Sequence, residues 1–194
     1  WIHQNILETI QNIKAKKNIT GGTKVNESDG YCAALPYFIY NNSEKELKKI
    51  IKSVVNSKIN ETYAIAKFKI LELANSGDRN PIQSFVKRQK KNKYFRDVII
   101  NTKKVLRSKN QNHIKTVRKF GVACSYPGTY MGALHAIITS KNYKSAITKT
   151  IKAGGCNCSR ANFIGAYFAA LKPGSIPITW IKRTLPAKKI IKYI

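Results

Sequence analysis

Residues 143–171 read YKSAITKTIKAGGCNCSRANFIGAYFAAL. Ile147 and Ile151 sit one helical turn apart in an otherwise polar run, so Tyr143 to Ala153 is predicted as an amphipathic helix. Gly154-Gly155 then breaks it. From Ser159 to Leu171, Phe163, Ile164 and Phe168 recur at helical spacing among alanine and glycine, which predicts a second helix that packs closely on its neighbours. The unit is helix, glycine turn, helix, and nothing in it alternates as a strand would.

The same periodicity extends outward. Ile2, Ile6, Leu7, Ile10 and Ile13 fall on one face of an opening helix, with polar residues opposite. Gly21, Gly22, Asp29 and Gly30 mark a loop. Ser43 opens a Ser-x-x-Glu capping box ahead of Leu47, Ile50, Ile51, Val54 and Val55. Asn60 is the expected cap of a helix carrying Ala64, Ile65, Phe68, Leu71 and Leu73, which the N-S-G-D-R-N-P run at 75–81 ends. Val98 to Leu106 is a further amphipathic helix, and a polar, basic break is expected from Arg107 to Lys119. Pro127 suits the first turn of the helix that follows. The segment I-P-I-T-W-I closes on a short helix anchored by Trp180. The expected fold class is all-α: a compact, multi-helix single domain over 1–194, with basic segments around 85–119 and 182–194.

Charge is the unusual feature of the composition. The 194 residues carry 36 Lys and Arg against 9 Asp and Glu, a net charge of +27. Asp97 is the last acidic residue, and 18 Lys and Arg follow it. Soluble domains normally intersperse both signs, so an anionic partner is expected: nucleic acid first, an anionic membrane surface second. The most basic run is F85-V-K-R-Q-K-K-N-K-Y-F-R96. Its Phe85, Tyr94 and Phe95 either stack on bases beside phosphate-bound lysines or anchor a surface segment to the core. Phosphate-binding candidates are Lys87, Arg88, Lys90, Lys91, Lys93, Arg96, Lys103, Lys104, Arg107, Lys109, Lys115, Arg118, Lys119, Lys182, Arg183, Lys188 and Lys189. The 29 lysines to 7 arginines suit neutralising a backbone better than reading bases. The four cysteines, Cys32, Cys124, Cys156 and Cys158, are few and irregularly spaced, so buried reduced thiols are expected rather than a disulfide framework. His135, on an apolar helix, reads as a core histidine. No apolar run approaches the ~20 residues of a membrane span. The chain opens at Trp1 without a methionine, so the domain is expected to be incomplete at its N-terminus.

Two motifs carry a resemblance. A153-G-G-C-N-C-S-R-A-N-F-I-G-A-Y-F-A-A-L followed by I-P-I-T-W-I resembles the closing signature of the ADP-ribosylglycohydrolase family, a Gly-Gly-Asp-x-Asp-Ser/Thr turn opening a small-residue helix before Ile-Pro-x-x-Trp. Y126-P-G-T-Y-M-G-A-L-H-A-I-I resembles that family's Pro-Gly-x-x-x-x-Ala-Leu helix. The Cys-Ser-Arg form of the turn is similar to the branch that includes the J-crystallins. The specific similarity covers roughly Tyr126 to Trp180. It implies a helical fold and, in an active member, two magnesium ions held by carboxylates of this turn and of an N-terminal Thr-Asp-Asp motif.

At the positions matching those carboxylates this chain has Cys156 and Cys158, with Asn157 between them and Ser159 after. Magnesium wants hard oxygen ligands, and no Thr-Asp-Asp occurs in the chain. The expectation is therefore a pseudoenzyme without catalytic residues, metal or cofactor. Gly154, Gly155 and Arg160 are candidates for a residual anion pocket, although packing is the favoured role for Arg160. The expected function is a structural, RNA-binding component of a ribonucleoprotein, with ribosomal RNA and neighbouring proteins as partners. An organellar, mitochondrial ribosome is its expected home and the cytoplasm the alternative. Competing readings are an ADP-ribosyl hydrolase with an altered metal site and a structural subunit of a membrane complex.

Overall fold

Three helices, two of them buried over most of their residues, form the centre of the molecule. The computed structural model describes residues 4–23, 26–41 and 43–191, with backbone alone at 188 and 191. In chain order the helices are α1 (Gln4–Lys14), α2 (Asp29–Tyr40), α3 (Glu44–Val54), α4 (Lys58–Asn75), α5 (Pro81–Gln89), α6 (Arg96–Arg107), α7 (His113–Phe120), α8 (Gly128–Ile138), α9 (Tyr143–Ala153), α10 (Asn157–Leu171), α11 (Ile178–Arg183) and α12 (Ala187–Ile191), with a 3-10 turn at Lys93–Phe95 before α6. The chain is all-α. Only isolated bridges pair extended backbone among the described residues, Gly22 with Val55 and Glu27 with Ser125.

Helices α4, α8 and α10 are the central trio. α4 is buried along most of Asn60 to Ala74 and α8 from Gly128 to Ile137. α10 packs on α4, α8 and α9, while α2 and α3 pair and close over one side of α4. Phe163 of α10 lies between Tyr31 of α2 and Tyr130 of α8, at ring distances of 5.9 and 6.3 Å. Among the described residues no helix is long and apolar enough to cross a membrane.

Several local expectations need correction. α4 begins at Lys58 and is capped by Ser57, whose hydroxyl accepts from the Asn60 backbone N–H; Asn60 itself is buried and donates to the Glu27 carbonyl. Ser43 stands at the N-cap of α3, but its side chain makes no cap bond. The basic break expected over 107–119 is shorter, because α7 occupies its second half. There His113, Thr116 and Val117 turn inward at i, i+3 and i+4, Lys115, Arg118 and Lys119 turn outward, and Asn112 caps the start by accepting from the Lys115 N–H at 3.1 Å.

The opening helix is reversed. Ile6, Leu7, Ile10 and Ile13 are exposed, and Asn5 and Asn12 are the buried residues of α1. The inward face is polar because it serves backbone groups. Asn12 Nδ2 donates to the Thr20 carbonyl at 3.0 Å, and Thr9 Oγ1 accepts from the Gly22 N–H at 3.1 Å. Ile2 lies outside the described residues.

Candidate functional site

α9 ends at Ala153, and Gly154 and Gly155 both take positive φ, +73° and +67°, to send the chain into α10. At Gly155 a Cβ would come within 2.2 Å of the Val122 carbonyl oxygen, so only glycine lets the turn settle on the 121–125 loop. The Cys156 N–H donates to that carbonyl at 2.8 Å, and Cys156 is disulfide-bonded to Cys124, with their Cα atoms 5.1 Å apart. This overturns the expectation of four reduced, buried thiols. Two cysteines are bonded to each other; Cys32 is half-buried and Cys158 exposed.

Arg160 sits beneath the turn with no exposed surface. Its Nε donates to Thr150 Oγ1 at 2.9 Å and its Nη2 to Asn157 Oδ1 at 2.8 Å and to the Gly154 carbonyl, with longer contacts to the Val122 and Thr150 carbonyls at 3.4 Å. The guanidinium thus satisfies carbonyls left open at the end of α9 and in the facing loop. Gly132 of α8 makes room for it, since a Cβ there would lie 2.9 Å from Arg160 Cδ. Arg160 therefore takes the packing role, and its donors are turned away from any anion outside the turn.

This donor set does not fit magnesium. Cys156 is in a disulfide with the Ser159 hydroxyl 3.0 Å from its sulfur, Asn157 already accepts from a cation, and Cys158 offers an exposed soft thiol. Among the described residues no three His, Cys, Asp or Glu side chains are grouped to hold a metal.

The basic candidates divide into distinct groups. Lys90, Lys91, Lys93, Arg96 and Lys103 converge on one shallow cleft of about 410 Å³, with Asn92, Ile99 and Ile100 completing its wall and no acidic residue in it. Arg88 stands apart, facing Asp78 at 3.9 Å. Lys87, Lys104, Arg107, Lys115, Arg118 and Lys119 are exposed but do not line this cleft, and Lys182, Arg183 and Lys189 are exposed on α11 and α12. The Lys188 side chain lies outside the described residues. Lys109 belongs to a second cleft of about 560 Å³, where it meets Lys141, Lys149, Lys152 and His113.

The aromatics of the basic run are not available for base stacking. Phe85 and Phe95 are each 1% exposed and pack edge to face at 5.5 Å. Tyr94 is half-buried and donates from its hydroxyl to Glu61 Oε1 at 2.8 Å, which together with burial holds its pKa above the usual range. They anchor the segment to the core, leaving charge as its outward chemistry.

Two further groups lie in the core, one of them around His135, the histidine whose apolar helix placed it there. His113 and His135 face each other, Nδ1 to Nδ1 at 2.8 Å, and His135 Nε2 lies 3.0 Å from the Ser108 carbonyl. A carbonyl only accepts, so His135 carries its proton on Nε2 and His113 donates from Nδ1. Burial, with His135 and the Lys149 and Arg160 charges nearby, lowers the His113 pKa to about 4. Lys67 of α4 is fully buried, its Nζ lying 4.3, 4.9 and 5.5 Å from the ring centroids of Tyr31, Tyr126 and Phe163. Burial lowers its pKa to about 7 while the aromatic faces offset part of the cost of the charge. A lysine flanked by Tyr63, Ala64, Ile70 and Leu71 at helical spacing was the available signal for this site.

No protein-family model matches the chain. It is 31% identical to crystallin J1A of Tripedalia cystophora over 208 aligned positions, and 27% identical to crystallin J1B of the same animal over 201. The chain is homologous to the J crystallins. Both alignments take in the whole chain, which spans 61% of the length of each relative. The homology thus runs through the glycine turn and also through α1 to α6, where the motifs quoted above are silent.

Proposed function

We propose that this J-crystallin homologue is a non-catalytic derivative of the ADP-ribosylglycohydrolase scaffold that binds RNA through charge. The observation that carries the reading is the convergence of Lys90, Lys91, Lys93, Arg96 and Lys103 on one cleft without a carboxylate in its wall. Five cations brought together from the turn after α5, the 3-10 turn and α6 repel one another unless an anion lies among them. A phosphate backbone supplies such anions at regular spacing, and its contacts make affinity steeply salt-dependent and indifferent to sequence.

Two observations support the non-catalytic half. The turn that would supply metal-binding carboxylates holds a disulfide and an internally bonded guanidinium instead. The relatives bear the name of crystallins rather than of a hydrolase. Fluorescence anisotropy with single-stranded RNA across a salt series tests the binding half. The expected result is a log–log slope near −0.7 per neutralised phosphate, reduced in a Lys90→Gln/Lys91→Gln/Lys93→Gln variant whose melting temperature is unchanged. Equal binding by wild type and variant would refute it.

A further inference from the structure

The second basic cleft lies where the α6–α7 connection meets the α8–α9 connection. Lys109 and Lys141 stand on those connections, and Lys149 and Lys152 project from α9. No acidic residue lines the cleft. Lys149 donates to the Thr139 carbonyl, which fixes its ammonium group within the cleft wall.

Two residues of the same wall each carry a buried polar atom without a partner among the described residues. His113 is 7% exposed and its Nε2 has none; the Ser140 Oγ is likewise buried and unpaired. Unpaired buried polar atoms cost free energy, and here they sit beside four positive charges. The tautomer set by the Ser108 carbonyl leaves His113 Nε2 as a lone pair, an acceptor. The pKa of about 4 keeps that ring neutral at pH 7. The cleft therefore combines cations for an anion, a hydroxyl that donates or accepts, and an acceptor that wants a donor.

We propose that this cleft binds a phosphate group that carries a P–OH, either inorganic phosphate or a phosphate monoester. Inorganic phosphate offers oxygens to the lysines and keeps a P–OH for His113 Nε2 in both of its forms at neutral pH. A monoester, whose second pKa is about 6, offers that proton in its monoanion. Sulfate and an internal phosphodiester have oxygens alone, so the cleft discriminates against both. The site is separate from the Lys90–Lys103 cleft and does not depend on the RNA reading.

The test is a histidine-detected NMR titration of the whole chain at pH 7 and constant ionic strength. Inorganic phosphate is expected to give a saturable shift at His113 Nε2, and sulfate none. The exposed pair Lys141→Gln/Lys152→Gln is expected to weaken phosphate binding about tenfold, which is about 1.4 kcal/mol, with the fold retained. A 5′-phosphorylated RNA oligonucleotide that competes with phosphate, where its 5′-hydroxyl counterpart does not, identifies an RNA end as a source; failure of both to compete assigns the site to free phosphate or a small monoester. No saturable shift, an equal shift with sulfate, or unchanged affinity in the double variant would overturn the proposal. Loss of RNA binding at the other cleft would leave this titration unaffected.

Discussion

Replacing Arg160 by alanine removes a side chain with no exposed surface and leaves its partners unserved. The Gly154 carbonyl and Asn157 Oδ1 lose a charged donor, as does Thr150 Oγ1. Hydrogen bonds to a charged group contribute about 1.5–3 kcal/mol each, and the space left by the side-chain stem adds about 2 kcal/mol. Relief of the buried charge offsets several kcal/mol of that total. The net loss is on the order of 4 kcal/mol, a large part of the roughly 5–15 kcal/mol that holds a domain folded. For a chain of this size that lowers the melting temperature by about 8–16 °C. Arg160→Lys keeps the charge and loses the fork, so about half of that fall is expected. Calorimetry or dichroism on the three proteins, with and without phosphate, reads the outcome. A fall below about 3 °C in Arg160→Ala, accompanied by lost anion binding, would show that the guanidinium serves a ligand and refute its structural assignment.

Phe95→Ala is expected to cost about 3–5 kcal/mol of stability and to leave the RNA affinity of the folded protein unchanged, because the ring packs on Phe85 rather than facing outward; denaturant melts alongside anisotropy check both. Denatured without reductant, the protein is expected to titrate two thiols, Cys32 and Cys158, and four after reduction. His113 has a folded pKa of about 4 against about 6.5 when unfolded, so the unfolded state binds more protons between those values. Its contribution is therefore complete above pH 6.5 and is lost as pH falls toward 4, about 2 kcal/mol between pH 7 and pH 5. Urea midpoints at the two pH values check this, and His113→Asn is expected to flatten the difference.

Much of the helical frame was legible because its signals are local. Gly154-Gly155, the N-S-G-D-R-N-P run and Pro127 each interrupt the backbone by their own chemistry, and helices start or stop beside all of them. α7 was obscured because five of its eight residues are polar or basic, and a charge run and an amphipathic helix differ only in which side Thr116 and Val117 take. α1 shows the opposite failure. Its apolar stripe is real, but periodicity cannot say which face meets the core, and here Thr9 and Asn12 were needed by backbone groups of the loop that follows.

At the candidate sites the residue types were readable and their pairing was not. The lysines of 90–103 could be named from sequence, yet only folding the 3-10 turn onto α6 shows which of them share a cleft. Lys141, Lys149 and Lys152 lie far along the chain from Lys109 and join it through the packing of α7 on α9. The Cys124–Cys156 bond spans 32 positions and depends on the 121–125 loop meeting the glycine turn. Arg160 stands three residues past the start of α10, from where it reaches back to the Gly154 carbonyl of the preceding turn.

The most direct test of RNA binding by a non-catalytic scaffold is sedimentation of the endogenous protein from a gentle lysate, with and without nuclease, followed by a high-salt wash. The account predicts migration with a large ribonucleoprotein, an organellar ribosome being the expected particle, that nuclease collapses and salt strips. Migration as a small species insensitive to nuclease would contradict it.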